Sequence, residues 1–455
     1  MDATSLLQLS QWAGARLCAG LPEALVEGVC TDSRSLRPGQ LFVALRGEHF
    51  DGHGFVESAA ALGAAGALVE QVAPGLPVQF GVLQVEDTLA ALQRMAGAHR
   101  ASLPMRVVAV TGSNGKTSTK DLAAAVLSER FQVCRTQGNL NNHIGLPLSL
   151  LRAGSGDGAG VFEIGMNHPG EIAPLAALAA PDVAIITGIG TAHIEFMGSR
   201  EAIAKEKGML AEALRPAGTV ILSAEDEFSS GIAGRTGATA VYCGIGCGDF
   251  QARDLRQDLG GSRFVIRALG REVEAAVPVS GVHMVRNALM AVAAGSVLGL
   301  SLEQCVAGLA RLELTKGRLE RKGARGIEVL DDTYNANPDS VAAALHTLAA
   351  LPTVGRRVAV LGRMGELGSH SAQGHSSVGL VAAELGLDLL LGVGEEPALA
   401  VEAARAGGMT GALHAATVEE AVSVLRHRVV AGDLVLVKGS RSARMERVVE
   451  GLLAP

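Results

Sequence analysis

From Arg106 to Lys120 the chain reads R-V-V-A-V-T-G-S-N-G-K-T-S-T-K. An apolar run followed by Gly-Lys-Thr is the pattern of a loop that wraps phosphate. The common form, G-x-x-x-x-G-K-[ST], needs a glycine at 110, where Val110 stands, so the loop is the shorter Gly112, Ser113, Asn114, Gly115, Lys116, Thr117. Backbone N–H groups from Ser113 to Thr117 would ring the phosphates. A helix beginning near Ser118 would add the positive end of its dipole. Lys116 would supply a point charge to the β- and γ-phosphates, and the Thr117 hydroxyl a ligand for Mg²⁺. The bland alternative is a glycine-rich turn with a solvated lysine. Strand, loop and helix in the right order favour nucleotide binding, with ATP the expected cofactor.

Three further groups could serve the same edge. V-F-E-I-G-M-N-H-P-G-E (Val161–Glu171) puts Glu163 at a strand end, where it is either a hard oxygen ligand for magnesium or one more solvated acid. His193 follows the apolar run that starts at Asp182, and a lone histidine there is as readily a packing or capping residue. Lys205 and Lys207 fall on a helical stretch, where solvation is the ordinary fate of a lysine.

These groups need elements to hold them. Apolar strands at Val107–Val110, Val161–Ile164 and Val183–Thr187 alternate with helices at Ser118–Phe131 and Glu201–Leu214. That alternation indicates a parallel sheet covered on both faces, with ligands beyond the strands' carboxyl ends. A second such unit follows, with strands at Ile327–Leu330, Val358–Leu361, Leu389–Val393 and Leu434–Val437. Ahead of both lies a smaller region with a strand at Leu41–Leu45 and a small-residue helix at Gly54–Gly66. The expected fold is α/β in three domains. Residues 1–82 form a small mixed α/β domain, 83–313 a P-loop-type parallel-sheet ATPase domain, and 314–455 a Rossmann-like α/β domain.

Composition sets bounds on function. With 48% hydrophobic and 19% charged residues, the 455-residue chain has ample apolar material for packed cores and is not broadly disordered. A net charge of −7 without a basic block argues against a nucleic-acid partner. The six cysteines are scattered, and Cys243 and Cys247 lack the partners of a zinc site, so reduced thiols are expected. The first residues have no basic region of a signal peptide. The uncharged stretch Asn287–Leu302 is short and interrupted by Gly and Ser, so neither export nor a membrane span is expected. The expected setting is cytoplasmic.

T-G-S-N-G-K-T, the E-I-G segment, and H-I-E with a lysine fourteen residues beyond its histidine resemble the Mur ligase superfamily. These are ATP-dependent amide ligases that build the peptidoglycan stem peptide. The resemblance implies that Thr117, Glu163, His193 and a carbamylated Lys207 hold Mg²⁺, with Lys116, His193 and Lys207 catalytic. Lys205 is the competing lysine. G-V-H-M-V-R-N-A (Gly281–Ala288) is similar to the family's adenine-binding helix. It implies an adenine contact at Asn287, with Met284 standing where the family has asparagine. K-G-R-L-E (Lys316–Glu320) implies a phosphate or ribose contact at Arg318. I-E-V-L-D-D-T-Y-N-A-N-P-D-S (Ile327–Ser340) implies an ATP contact at Asp332 and substrate contacts at Tyr334, Asn335 and Asn337. L-G-R-M-G-E-L-G (Leu361–Gly368) carries Arg363 where the family has Asp; V-K-G-S-R (Val437–Arg441) and His375 also match.

T-D-S-R, G-E-H-F-D-G-H and G-N-L-N-N-H-I-G (Gly138–Gly145) resemble the family's UDP-sugar and peptide contacts, which implies substrate roles for Ser33, Arg34, Asn139 and Asn142. Y-N-A-N-P, with no D-N-P-R, implies the branch whose substrates are UDP-MurNAc-tripeptide and D-Ala-D-Ala. The chain is expected to act as a monomer. A different member of the superfamily, or a regulatory nucleotide-binding module, are the alternatives; the latter lacks the N-K-x-D of a GTPase.

Overall fold

The computed structural model of the chain describes residues 1–47 and 50–454; Glu48 and His49 of the G-E-H-F-D-G-H stretch lie outside the described residues. Three principal sheets follow one another along the chain. The first has five strands in spatial order Arg16–Ala19, Gly81–Gln84, Gly66–Val69, Leu41–Val43, Val29–Cys30. It is parallel except for its first strand. The expected helix after Leu41 is a 3₁₀ turn, Gly52–Phe55, running into Val56–Ala61.

The second sheet has nine strands. Its parallel part runs Val133–Arg135, Ala159–Glu163, Arg106–Thr111, Val183–Ile186, Thr219–Ser223, Thr239–Ile245 and Phe250–Asp258. Arg106–Thr111 sits where the order reverses: the next strand in sequence goes out to the edge, and later ones fill in on both sides. Such a reversal opens a crevice at the carboxyl ends. Residues 107–111 are all fully buried, and each buried valine contributes roughly 1.5–3 kcal/mol. Two antiparallel strands, Gly261–Ala268 and Arg271–Val277, extend the far edge, where only strand–helix units were expected. Alternating charged residues in R-D-L-R-Q-D and R-E-V-E suit a sheet with one wet face. The uncharged stretch that begins at Asn287 belongs to a buried helix, Val282–Val297, packed against the phosphate-loop helix Lys116–Leu127.

The third sheet has six strands, ordered Glu320–Ala324, Ile327–Asp332, Leu434–Lys438, Arg357–Leu361, Leu389–Val393, Ala412–Ala415, all parallel but the first. Its strands Ile327–Asp332 and Leu434–Lys438 end in the polar residues Asp331, Asp332 and Lys438.

Candidate active site

The phosphate loop is built by exclusion. Gly112 has φ +145°, and a Cβ there would collide with the Thr187 hydroxyl. Gly115 has φ +79°, and a Cβ there would lie 2.8 Å from Asn287 Oδ1. Only glycine fits either position. Gly115 is also the N-cap of Lys116–Leu127 and gives that helix no side-chain cap. The first-turn amides are therefore left for an anion, which the helix dipole favours. Lys116 folds back over the loop, its Nζ donating to the Gly112 carbonyl at 2.9 Å. Burial lowers its pKa, opposed by the Glu163 and Glu366 carboxylates.

Thr117, one residue on, donates its hydroxyl to Glu163 Oε2 at 2.9 Å, and Asn141 Nδ2 donates to Glu163 Oε1 at 2.7 Å. The expected ligands Thr117 and Glu163 thus meet. Of the three asparagines in Gly138–Gly145, the one that reaches the site is Asn141. Asn142 instead holds the turn that leads into the helix Gly145–Leu150, accepting from the Ile144 and Gly145 amides, while Asn139 is exposed. Adjacent asparagines in a loop give no periodicity from which to read their direction.

Lys207 is fully buried on the helix Arg200–Glu212, and its Nζ has no hydrogen-bond partner. Burial, then the nearby Lys116 ammonium, push its pKa well below the ordinary lysine range, against the pull of Glu206 and Glu163. Lys205, the competing candidate, is exposed. A buried amine with nothing to bond, whose charged form burial disfavours, is the right starting material for a carbamate, whose two oxygens would satisfy the space and reverse the charge. Among the described residues no three His, Cys, Asp or Glu side chains converge as a ready metal site. A carbamate on Lys207, which lies near enough to feel the Glu163 charge, would add oxygen donors to the Thr117–Glu163 pair, a set that would suit a hard cation.

The third domain closes the site. Arg318 Nη2 donates to the Thr117 hydroxyl at 3.2 Å, and its guanidinium lies 4.2 Å over the Tyr334 ring. Asn337 caps the helix Pro338–Ala350 and donates from Nδ2 to Asn114 Oδ1 at 2.8 Å. Asp339, in that helix's first turn, accepts from the Thr191 amide and hydroxyl at 2.7 and 2.9 Å. His193, with φ +63°, sits with Nδ1 2.7 Å from Glu366 Oε2. Glu366 belongs to the L-G-R-M-G-E-L-G loop, and His375 pins that loop by accepting the Met364 amide at Nε2. The unexpected Arg363 of this loop turns outward and pairs with Glu396 at 2.8 Å.

Other expected residues have partners of their own. Asp332 Oδ2 is 2.5 Å from the buried Lys438 Nζ, and Oδ1 accepts the Leu319 amide. The Asn335 carbonyl also accepts from Lys438. Asn287 is buried against Gly115, with Met284 Sδ 3.9 Å from its amide nitrogen. Arg34 is paired with Asp32 on the surface of the first domain, beside Ser33. Asn141, Asp339, Glu366, Lys438 and Asp121 (below) are the site's unpredicted members. For Glu366 and Lys438 the signal lay inside quoted motifs, and for Asp121 in helical spacing from Thr117.

Family comparisons agree with this order of domains. The model described as Mur ligase family, catalytic domain matches residues 25–100. The Mur ligase middle domain matches 110–295, and the Mur ligase, glutamate ligase domain matches 317–441. The chain is 38% identical to the UDP-N-acetylmuramoyl-tripeptide–D-alanyl-D-alanine ligase of Bacillus subtilis, over 95% of this chain and 94% of that protein. A crystal structure of MurF from Acinetobacter baumannii superposes with a TM-score of 0.92 at 32% identity, covering all of both chains. The structure of MurF ligase from Thermotoga maritima in complex with ADP superposes with a TM-score of 0.83 at 28% identity, over 93% of this chain and 96% of that one.

Proposed function

The chain belongs to the Mur ligase family, and on that premise we propose that it is the ATP-dependent ligase that adds D-alanyl-D-alanine to UDP-N-acetylmuramoyl-tripeptide, releasing ADP and phosphate. The observation that carries the reading is the meeting at Thr117 of the uncapped phosphate-loop helix with Arg318 of the third domain. A closed cationic enclosure around a transferring phosphoryl group is what such chemistry requires.

A carboxylate is a poor acyl donor to an amine, because it lacks a leaving group. In the proposed course, its oxygen attacks the γ-phosphorus, the β–γ bridge breaks toward ADP, and an acyl phosphate results. The D-Ala-D-Ala amine then attacks the acyl carbon, phosphate leaves, and the amine's proton passes to solvent or a nearby base. Lys116 and the loop amides hold the β- and γ-phosphates. Arg318 covers them from the other side and keeps water out when the domains close. Mg²⁺, when bound, supplies charge neutralisation at the phosphates; Thr117, Glu163, His193 and carbamylated Lys207 are the residues that would hold it. Asn287 would line the adenine pocket behind Gly115. Residues 1–82 would take the UDP-sugar end with Ser33 and Arg34, residues 83–313 ATP, and residues 314–455 the dipeptide beside Tyr334, Asn335 and Asn337.

Among the described residues no helix is long and apolar enough to cross a membrane. We place the reaction in the cytoplasm, where ATP and UDP-linked precursors meet, and the chain as a monomer. The test is product analysis with ATP, Mg²⁺, UDP-MurNAc-tripeptide and D-Ala-D-Ala. ADP and phosphate should form only with both co-substrates present; turnover without them, or AMP and pyrophosphate, would refute the proposal.

A further inference from the structure

The link between the second and third domains is held at two points that almost touch. Thr315 donates both its amide, at 3.0 Å, and its hydroxyl, at 2.8 Å, to Asp121 Oδ2. Asp121 lies on the phosphate-loop helix four residues after Thr117, on the same face, and is 2% exposed. Its other oxygen is 3.1 Å from the buried Lys120 Nζ. Thr315 is therefore fastened to the second domain.

Gly317 is fastened to the third. Its carbonyl accepts the Tyr334 amide at 3.2 Å, and its amide donates to Glu320 Oε2 at 3.2 Å. Gly317 has φ +71°, a conformation glycine adopts freely. Between the anchors stands one exposed residue, Lys316. Arg318, directly after, is the side chain that lands on Thr117. Two positions one helical turn apart on the phosphate-loop helix, 117 and 121, thus receive two link residues, 318 and 315.

We infer that Asp121 is a positioning residue: by clamping Thr315 it sets the register of the link, so that rotation about Lys316–Gly317 brings Arg318 onto the phosphate loop and nowhere else. In this inference the Asp121–Thr315 clamp persists when the domains part, while Arg318–Thr117 breaks together with the other cross-domain contacts at Asn337, Asp339 and Glu366. This rests on the phosphate-binding reading of Arg318.

The test is a double-mutant cycle on ADP affinity, read with a fluorescent ADP analogue, together with kcat and KM for ATP. Thr315→Val removes the hydroxyl donation while keeping size, and should weaken ADP about tenfold and raise KM for ATP; Thr315→Ser should restore both to within about twofold. In an Arg318→Ala background, Thr315→Val should add nothing. Multiplicative losses, or a Thr315→Val protein that binds like the parent, would overturn the clamp. An Arg318→Ala protein with unchanged ADP affinity would instead overturn the phosphate-binding reading of Arg318.

Discussion

Glu366 Oε2 lies 2.7 Å from His193 Nδ1, across the seam between the third and second domains. The contact is made at a cost, because Glu366 holds φ +60°, which disfavours a residue with a Cβ by about 1–2 kcal/mol. The His193 partnership, helped by the Lys116 charge, keeps the carboxyl below its usual range despite burial, so it stays an anion. With Nδ1 facing a carboxylate, Nε2 is the ring nitrogen left for a cation. Outer carboxylates of this kind typically strengthen metal binding 10- to 100-fold. Glu366→Gln should therefore weaken Mn²⁺ binding to the ADP complex about tenfold, read by electron paramagnetic resonance titration. Equal affinities in parent and variant would reduce the contact to one that only joins the two domains.

Lys207 makes a separate prediction. Burial depresses the pKa of its amine, which favours the neutral form, whose lone pair can add to CO₂, giving a carbamate and a proton. A protein equilibrated with ¹³C-bicarbonate should show one carbamate resonance that Lys207→Arg lacks. Acidification through the depressed pKa protonates the amine and should erase the signal. Lys207→Ala should lose activity by about 100-fold or more and regain part of it with added short carboxylates. Full activity in Lys207→Ala would end the assignment.

The strands were legible because buried parallel strands are continuous apolar runs: Leu389–Val393 has the bounds read from sequence, and Arg106–Thr111 extends its reading by a residue at each end. The phosphate loop was legible for a similar reason, since its glycines serve backbone geometry and leave a pattern. Direction was not legible. Nothing in G-N-L-N-N-H distinguishes Asn141, which reaches Glu163, from Asn142, which holds the turn before a helix. Nor does sequence tell that Asp332 spends one carboxylate oxygen on Lys438, 106 residues away. The antiparallel edge was missed because its charged, half-wet strands carry no apolar run.

His283 sits at the start of the helix Val282–Val297, facing the third domain. Burial holds its pKa down to about 4; Asp332 pulls it up, while Lys438 and Arg286 push it further down. A histidine whose folded pKa lies below its unfolded value of about 6.5 binds its proton more readily when unfolded. Its contribution is therefore fully present above pH 6.5 and is lost as pH falls toward 4. The loss is no more than about 3 kcal/mol, since the ring is not wholly shielded from water. Urea denaturation at steps between pH 7.5 and 4.5 should show the parent losing stability more steeply than His283→Asn. Parallel profiles would mean that the ring is free to protonate in the fold.

Lys438 and Asp332 form a largely buried pair, 2.5 Å apart, with Lys438 also donating to the Asn335 carbonyl at 2.9 Å. Removing one member of such a pair strands the other charge away from water, at about 3–5 kcal/mol. Lys438→Met should therefore destabilise the third domain by that amount, seen as an earlier unfolding transition in hydrogen exchange of the strands Ile327–Asp332 and Leu434–Lys438. Adding Asp332→Asn removes the stranded charge, so the double variant should recover part of the loss rather than add to it. Arg34, exposed and paired with Asp32 on the first domain, is the contrast: Arg34→Ala should leave stability unchanged within error, because both partners are solvated already. A Lys438→Met protein as stable as the parent would show that Asp332 is neutral in the fold, and the pair would then be a hydrogen bond between uncharged groups.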